Sequence, residues 1–207
     1  NLFAERMRRM FGMLKDLLHE TNENEFNKLF SRIEKYENIS DNMELEIANY
    51  LNKVTEGRLS SESKLEIRGM LREVTEIESI GDSCYNLART INRKRSGGND
   101  FTEKQYEHIH QMMQLTNDAL AHMIAVVEDD HHVVDVNKSF NIENEINNYR
   151  AQLKNQNVVD VNNKEYDYQM GVHYMDLIGE CEKLGDYVVN VVEARTNVKE
   201  KKTGDNR

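Results

Sequence analysis

Not one of the 207 residues is proline. A chain of this length at average usage would hold roughly ten. Proline removes a helix hydrogen bond and clashes with the preceding turn, so its absence leaves the chain free to run as long, unbroken helices joined by short turns. The remaining composition agrees: 31% of residues are charged, 7% are aromatic, and methionine (10) is frequent while tryptophan is absent. These proportions suit helices with one solvated face and one buried face filled by flexible aliphatic side chains.

The spacing of apolar residues predicts six helices, over about 2–20, 23–56, 61–95, 102–128, 131–156 and 163–198. Met7, Met10, Phe11, Leu14, Leu17 and Leu18 make the apolar face of the first. In the second, Leu29, Ile33, Tyr36, Met43, Ile47, Tyr50 and Val54 alternate by fours and threes, with a break at Ser40. Gly57 ends that helix and "LSSES" at 59–63 supplies caps for the next. "SGGND" at 96–100 is the one Gly-rich joint, and "KEKKTGDNR" at the end reads as a frayed polar tail.

Three helices, a joint and three more helices suggest an internal duplication. "EVTEIESIGDSCYNLAR" at 73–89 matches "DLIGECEKLGDYVVNVV" at 176–192, placing Glu78, Gly81, Asp82 and Asn86 on Glu182, Gly185, Asp186 and Asn190. "DNMELEI" at 41–47 is similar to "FNIENEI" at 140–146. The expected fold is therefore all-α, two tandem three-helix bundles: residues 1–95, a linker over 96–101, residues 102–198 and a polar tail over 199–207.

Glu78 and Asp82 stand four residues apart and share a helix face; Glu182–Asp186 and Glu37–Asp41 do the same. Asn86 and Asn190 extend two of these rows into polar ladders beside an apolar arc. Like charges at this spacing destabilise a helix modestly, so solvent, a basic partner or a metal must offset them. A single acidic pair is weak evidence, because chance supplies roughly half a dozen in such a chain. The repetition with glycine beside aspartate carries more weight: glycine there admits a close neighbouring helix, or leaves room for an ion. Folding the second and third helices back on each other around Gly57 brings Glu37 level with Glu78, so Glu37, Asp41, Glu78 and Asp82 form the better candidate site for a hard cation. In the second half, Val136 and Phe140 align with Glu37 and Asp41. A site at Glu182 and Asp186 would then need water, Asp135, Asn137 or His132.

Other chemistries fit less well. Net charge −10 without a basic stripe argues against nucleic-acid binding. Cys84 and Cys181 lack zinc-type spacing, which points to a reducing compartment, and no apolar run reaches the length of a membrane span. Glu107-x-x-His110 and Glu128-x-x-His131 have the spacing of di-iron oxidase ligands. Both lie on the fourth helix, about 31 Å apart at 1.5 Å per residue, and do not share a centre. No nucleophile with a paired base and no phosphate-binding glycine loop is present, so no enzyme is expected.

With "ENISD" at 37–41, "ESIGD" at 78–82 and "EKLGD" at 182–186, the chain resembles the PhoU family of phosphate regulators. Its hallmark is a duplicated three-helix bundle carrying E(D)xxxD motifs. The resemblance spans nearly the whole chain. Within the family it is most similar to the cytosolic C-terminal domain of bacterial sodium/phosphate cotransporters, since the chain opens at Asn1 without Met and carries Arg6, Arg8 and Arg9 near its start. The resemblance implies iron or zinc at Glu37, Asp41, Glu78, Asp82, Glu182 and Asp186, homodimerisation, and a regulatory, non-catalytic role. It also implies a parent transporter's membrane domain as partner, at the cytoplasmic face of the bacterial inner membrane. The alternative is a free-standing regulator acting on an ABC-type phosphate transporter and its sensor kinase. A carboxylate-bridged metalloenzyme and a metal-free helical adaptor are the contrasting classes.

Overall fold

The computed structural model describes residues 2–131 and 133–204, with side chains as far as residue 196. Six helices account for almost all of them: α1 (Leu2–His19), α2 (Glu23–Thr55), α3 (Ser61–Ser96), α4 (Glu103–Glu128), α5 (Asn137–Asn162) and α6 (Tyr168–Gly204). No strand occurs among the described residues.

Most boundaries follow from local chemistry visible in the sequence. The Asn22 side chain accepts from the Glu25 N–H and starts α2, and Ser60 accepts from Ser63 to start α3. Thr102 and Gln105 exchange side-chain-to-backbone bonds as a reciprocal cap on α4. The chain turns out of α3 through Gly98 at φ 76, where glycine carries no steric penalty.

The last two helices start later than the spacing predicts. Asp129 accepts from the N–H groups of His131 and Val134, and Asp135 accepts from Asn137. These side chains satisfy the backbone as turns, so α5 begins at Asn137 rather than near 131. Helix α5 continues to Asn162 and is closed by Lys164 in the left-handed region at φ 59. Asp167 then caps α6 through the Met170 N–H at 2.8 Å. Residues 199–204, read as a frayed tail, continue α6 to Gly204; residues 205–207 and His132 lie outside the described residues.

Helices α1–α3 pack as one bundle and α4–α6 as a second. The most extensive helix pair in the molecule is α3 with α6, which joins the bundles, assisted by α1 against α4. One continuous apolar cluster therefore runs from Phe3 in α1 to Val192 in α6. Across α3 and α6 the duplication appears as paired hydrogen bonds: Asn86 donates to Glu180 at 3.3 Å and Asn190 donates to Glu76 at 3.1 Å. The two asparagines are thus fastened across the bundle interface, each to a glutamate of the other repeat. Cys84 and Cys181 are buried free thiols in the core.

Candidate metal centre

In the first bundle, α2 and α3 meet where both are small. Ser40, the break in the α2 alternation, is 1% exposed. A Cβ placed on Gly81 would lie 4.0 Å from the Ser40 Cβ and 3.2 Å from Met7 Sδ of α1. Gly81 therefore serves close helix approach, one of the two uses its position allowed, and Met7 covers it. Each small residue has a glutamate three positions before it and an aspartate immediately after: Glu37-x-x-Ser40-Asp41 and Glu78-x-x-Gly81-Asp82. Drawing Ser40 toward Gly81 consequently brings the four carboxylates together.

One carboxylate oxygen from each of Glu37, Asp41 and Asp82 lies within 4.8 Å of the other two. Burial and then the neighbouring Asp41 push the Glu37 carboxyl up to about 7. Burial, with hydrogen bonds to Asp82 and Asp41 that need its proton, raises Glu78 to about 9. Mutual repulsion at close quarters favours either proton retention or a bound cation. The donor set is all oxygen, partly buried and open to solvent through the exposed Asp82, which fits a hard or borderline cation.

The second bundle is arranged differently. A Cβ on Gly185 would lie 3.3 Å from Ile146 Cδ1, so Ile146 stands where Ser40 stands in the first repeat. The flanking residues are then Glu143 and Asn147, in "ENEIN" at 143–147, which correspond to "ENISD" at 37–41. Burial, Glu143 and Glu182 together raise the Asp186 carboxyl. The α5 residue facing the Gly-Asp edge is Glu143, seven residues beyond the Val136 expected there. The Asp41 position holds Asn147, which donates to Glu143 at 3.0 Å. Arg150 Nε lies 3.1 Å from Glu182 Oε2, so a protein cation already pairs with one carboxylate of this copy. Asp135, a suggested stand-in ligand, accepts from the Asn137 N–H and serves the turn before α5.

The remaining sequence candidates disperse. His131 lies in the turn after α4, whereas His110 faces His19 of α1. The places of Met7, Ser40, Glu143 and Arg150 beside the Gly-Asp edges were not among the sequence expectations. Of these only Ser40 left a signal, as the polar interruption of an apolar row.

A model of the PhoU domain matches residues 2–91 and 109–194, and the chain belongs to that family. The two matched segments coincide with the two bundles. The fold is similar to that of the phosphate transport system regulatory protein PhoU from Streptococcus pneumoniae, at TM-score 0.74 and 15% identity over 95% of this chain and 91% of that one. It is also similar to PhoU from Pseudomonas aeruginosa, at TM-score 0.85 and 11% identity over 97% of this chain and 93% of that one. Comparison with curated proteins returned no match.

Proposed function

We propose that the chain is a PhoU-type regulator of phosphate uptake, non-catalytic, that acts by changing its contacts with a transport system. The observation that carries this reading is the family match over both bundles, joined to the carboxylate cluster at the equivalent edge of the first. The structural relatives favour a free-standing regulator, since one of them is a regulatory protein of a phosphate transport system; an ABC-type transporter and its sensor kinase are the targets we propose.

Iron or zinc is the proposed ion at Glu37, Asp41, Glu78 and Asp82. Its chemistry there is charge neutralisation. Bound between α2 and α3, a cation would fix the angle of two helices whose approach is otherwise limited by repelling carboxylates. Glu182 and Asp186 are the weaker proposal, because Arg150 supplies positive charge without an ion.

The second reading, the cytosolic domain of a sodium/phosphate cotransporter, rests on the basic start of α1. Arg8 and Arg9 are exposed there, but the Arg6 guanidinium stacks 4.4 Å from the Tyr36 ring and is partly buried. No helix among the described residues is long and apolar enough to cross a membrane. Hydrophobic spans encoded upstream of Asn1 would select this reading.

Deleting the gene in its host and measuring phosphate uptake under phosphate-replete conditions tests the proposal. Uptake should escape control, and a copy carrying Asp41→Asn and Asp82→Asn should not restore it. Unchanged uptake in the deletion strain would overturn the reading.

A further inference from the structure

The end of the molecule where α1 meets α4 carries a second group of metal-ligating atoms, of different chemistry from the carboxylate cluster. His19 is the last residue of α1 and His110 lies within α4. Their Nε2 atoms face each other at 2.5 Å, with ring centroids 4.7 Å apart. Two Nε2–H groups do not fit this geometry, so at least one nitrogen presents its lone pair to the other. Imidazole nitrogen is a common ligand for zinc-class dications.

We propose that His19 and His110 form a two-imidazole site for a zinc-class transition-metal dication, which staples the first bundle to the second. A tetrahedral metal with bonds of about 2.0–2.1 Å asks for nitrogens roughly 3.3 Å apart. The rings meet nearly head-on, so binding asks the nitrogens to part by less than an ångström and each ring to turn off their common line. Both histidines are exposed, which leaves room for that and gives a hydrated ion access. Two nearby negative ends would face a bound cation. His19 sits at the C-terminal end of α1, where unsatisfied carbonyls carry partial negative charge. Asp100 acts on the His19 ring electrostatically, while Lys94 opposes it and is itself held by Asp100 at 2.5 Å. Asp16 and Glu107 stand one turn before His19 and His110 on their own helices.

The test uses the full chain and Cu2+ at pH 7.5, read by equilibrium dialysis and by the nitrogen hyperfine pattern of the copper EPR spectrum. Parent protein and the Asp41→Asn/Asp82→Asn variant should both show copper bound by two imidazole nitrogens. His19→Ala and His110→Ala should each weaken that binding roughly tenfold or more, as chelation by two tethered ligands is lost, and abolish the two-nitrogen pattern. Zn2+ should raise the melting temperature of the carboxylate variant, but not when His110→Ala is added. Equal copper affinity and an unchanged spectrum in either histidine variant would overturn the proposal. So would a parent protein that binds no copper, or binds it without two-nitrogen coupling.

Discussion

Glu78 is where the carboxylate cluster holds its proton most firmly. Its carboxyl is raised from an ordinary value of 4.5 to about 9, and that of Glu37 to about 7. Between pH 4.5 and those values the folded chain retains protons that the unfolded chain has released. Metal-free stability contributed by these groups is therefore fully present below pH 4.5 and is lost as pH rises through about 7 and about 9. Chelator-treated protein should melt at a lower temperature at pH 8.5 than at pH 5.5, and Glu78→Gln should flatten that dependence. A bound ion reverses the trend, because it displaces the protons and binds more tightly as pH rises. Glycine positions give a second residue-scale expectation. A Cβ at Gly171 would meet the stiff Val161 Cγ2 at 2.9 Å, so Gly171→Ala should cost about 1–3 kcal/mol in urea unfolding. Gly179 has no neighbour within 4 Å of such a Cβ, and Gly179→Ala should stabilise by about 0.5–1 kcal/mol through helix propensity.

Among the elements, α2 and α5 show what could and could not be read in advance. The pairing of "ENISD" with "ESIGD" was legible because glutamate and aspartate stand four residues apart in both helices and the turn at Gly57 brings the two pairs level. The matching stretch of α5 was misplaced by seven residues, onto Val136 and Phe140 instead of Glu143 and Asn147. Seven residues are nearly two full helical turns, so shifting a helix by that amount leaves its apolar face almost unchanged. Apolar pattern alone therefore does not choose between registers. The start of α5 was displaced for a related reason: turns stabilised by Asp129 and Asp135 side chains have no periodicity to detect. The partial exposure of Arg150 and Glu182 makes their ion pair modest in strength. Arg150→Gln should lower stability by about 0.5–1 kcal/mol at low salt and less at high salt. Thermal melts of Arg150→Gln at two ionic strengths would check it.

The whole molecule is two bundles with one core, because α3 and α6 bury their apolar faces against each other as well as against their own bundles. The duplication and the all-helical class were legible from the absence of proline and the repeated Gly-Asp edges. The shared core was not, since a helix face does not state which bundle it will meet. Cooperativity follows from that packing. Calorimetry should show a single unfolding transition, and Leu120→Ala, at a fully buried position in α4, should cost about 2–5 kcal/mol without splitting it. Two transitions would mean that the bundles are energetically separate.

The first carboxylate cluster is proposed to hold an ion, whereas in its α5–α6 counterpart Glu182 is already paired with Arg150. Iron content of the full chain, measured after Fe(II) loading and gel filtration, tests it most directly. The parent and the Glu182→Gln/Asp186→Asn variant should retain iron, while Asp41→Asn/Asp82→Asn should lose it. Iron retained in full by Asp41→Asn/Asp82→Asn, or lost only from the Glu182→Gln/Asp186→Asn variant, would contradict it.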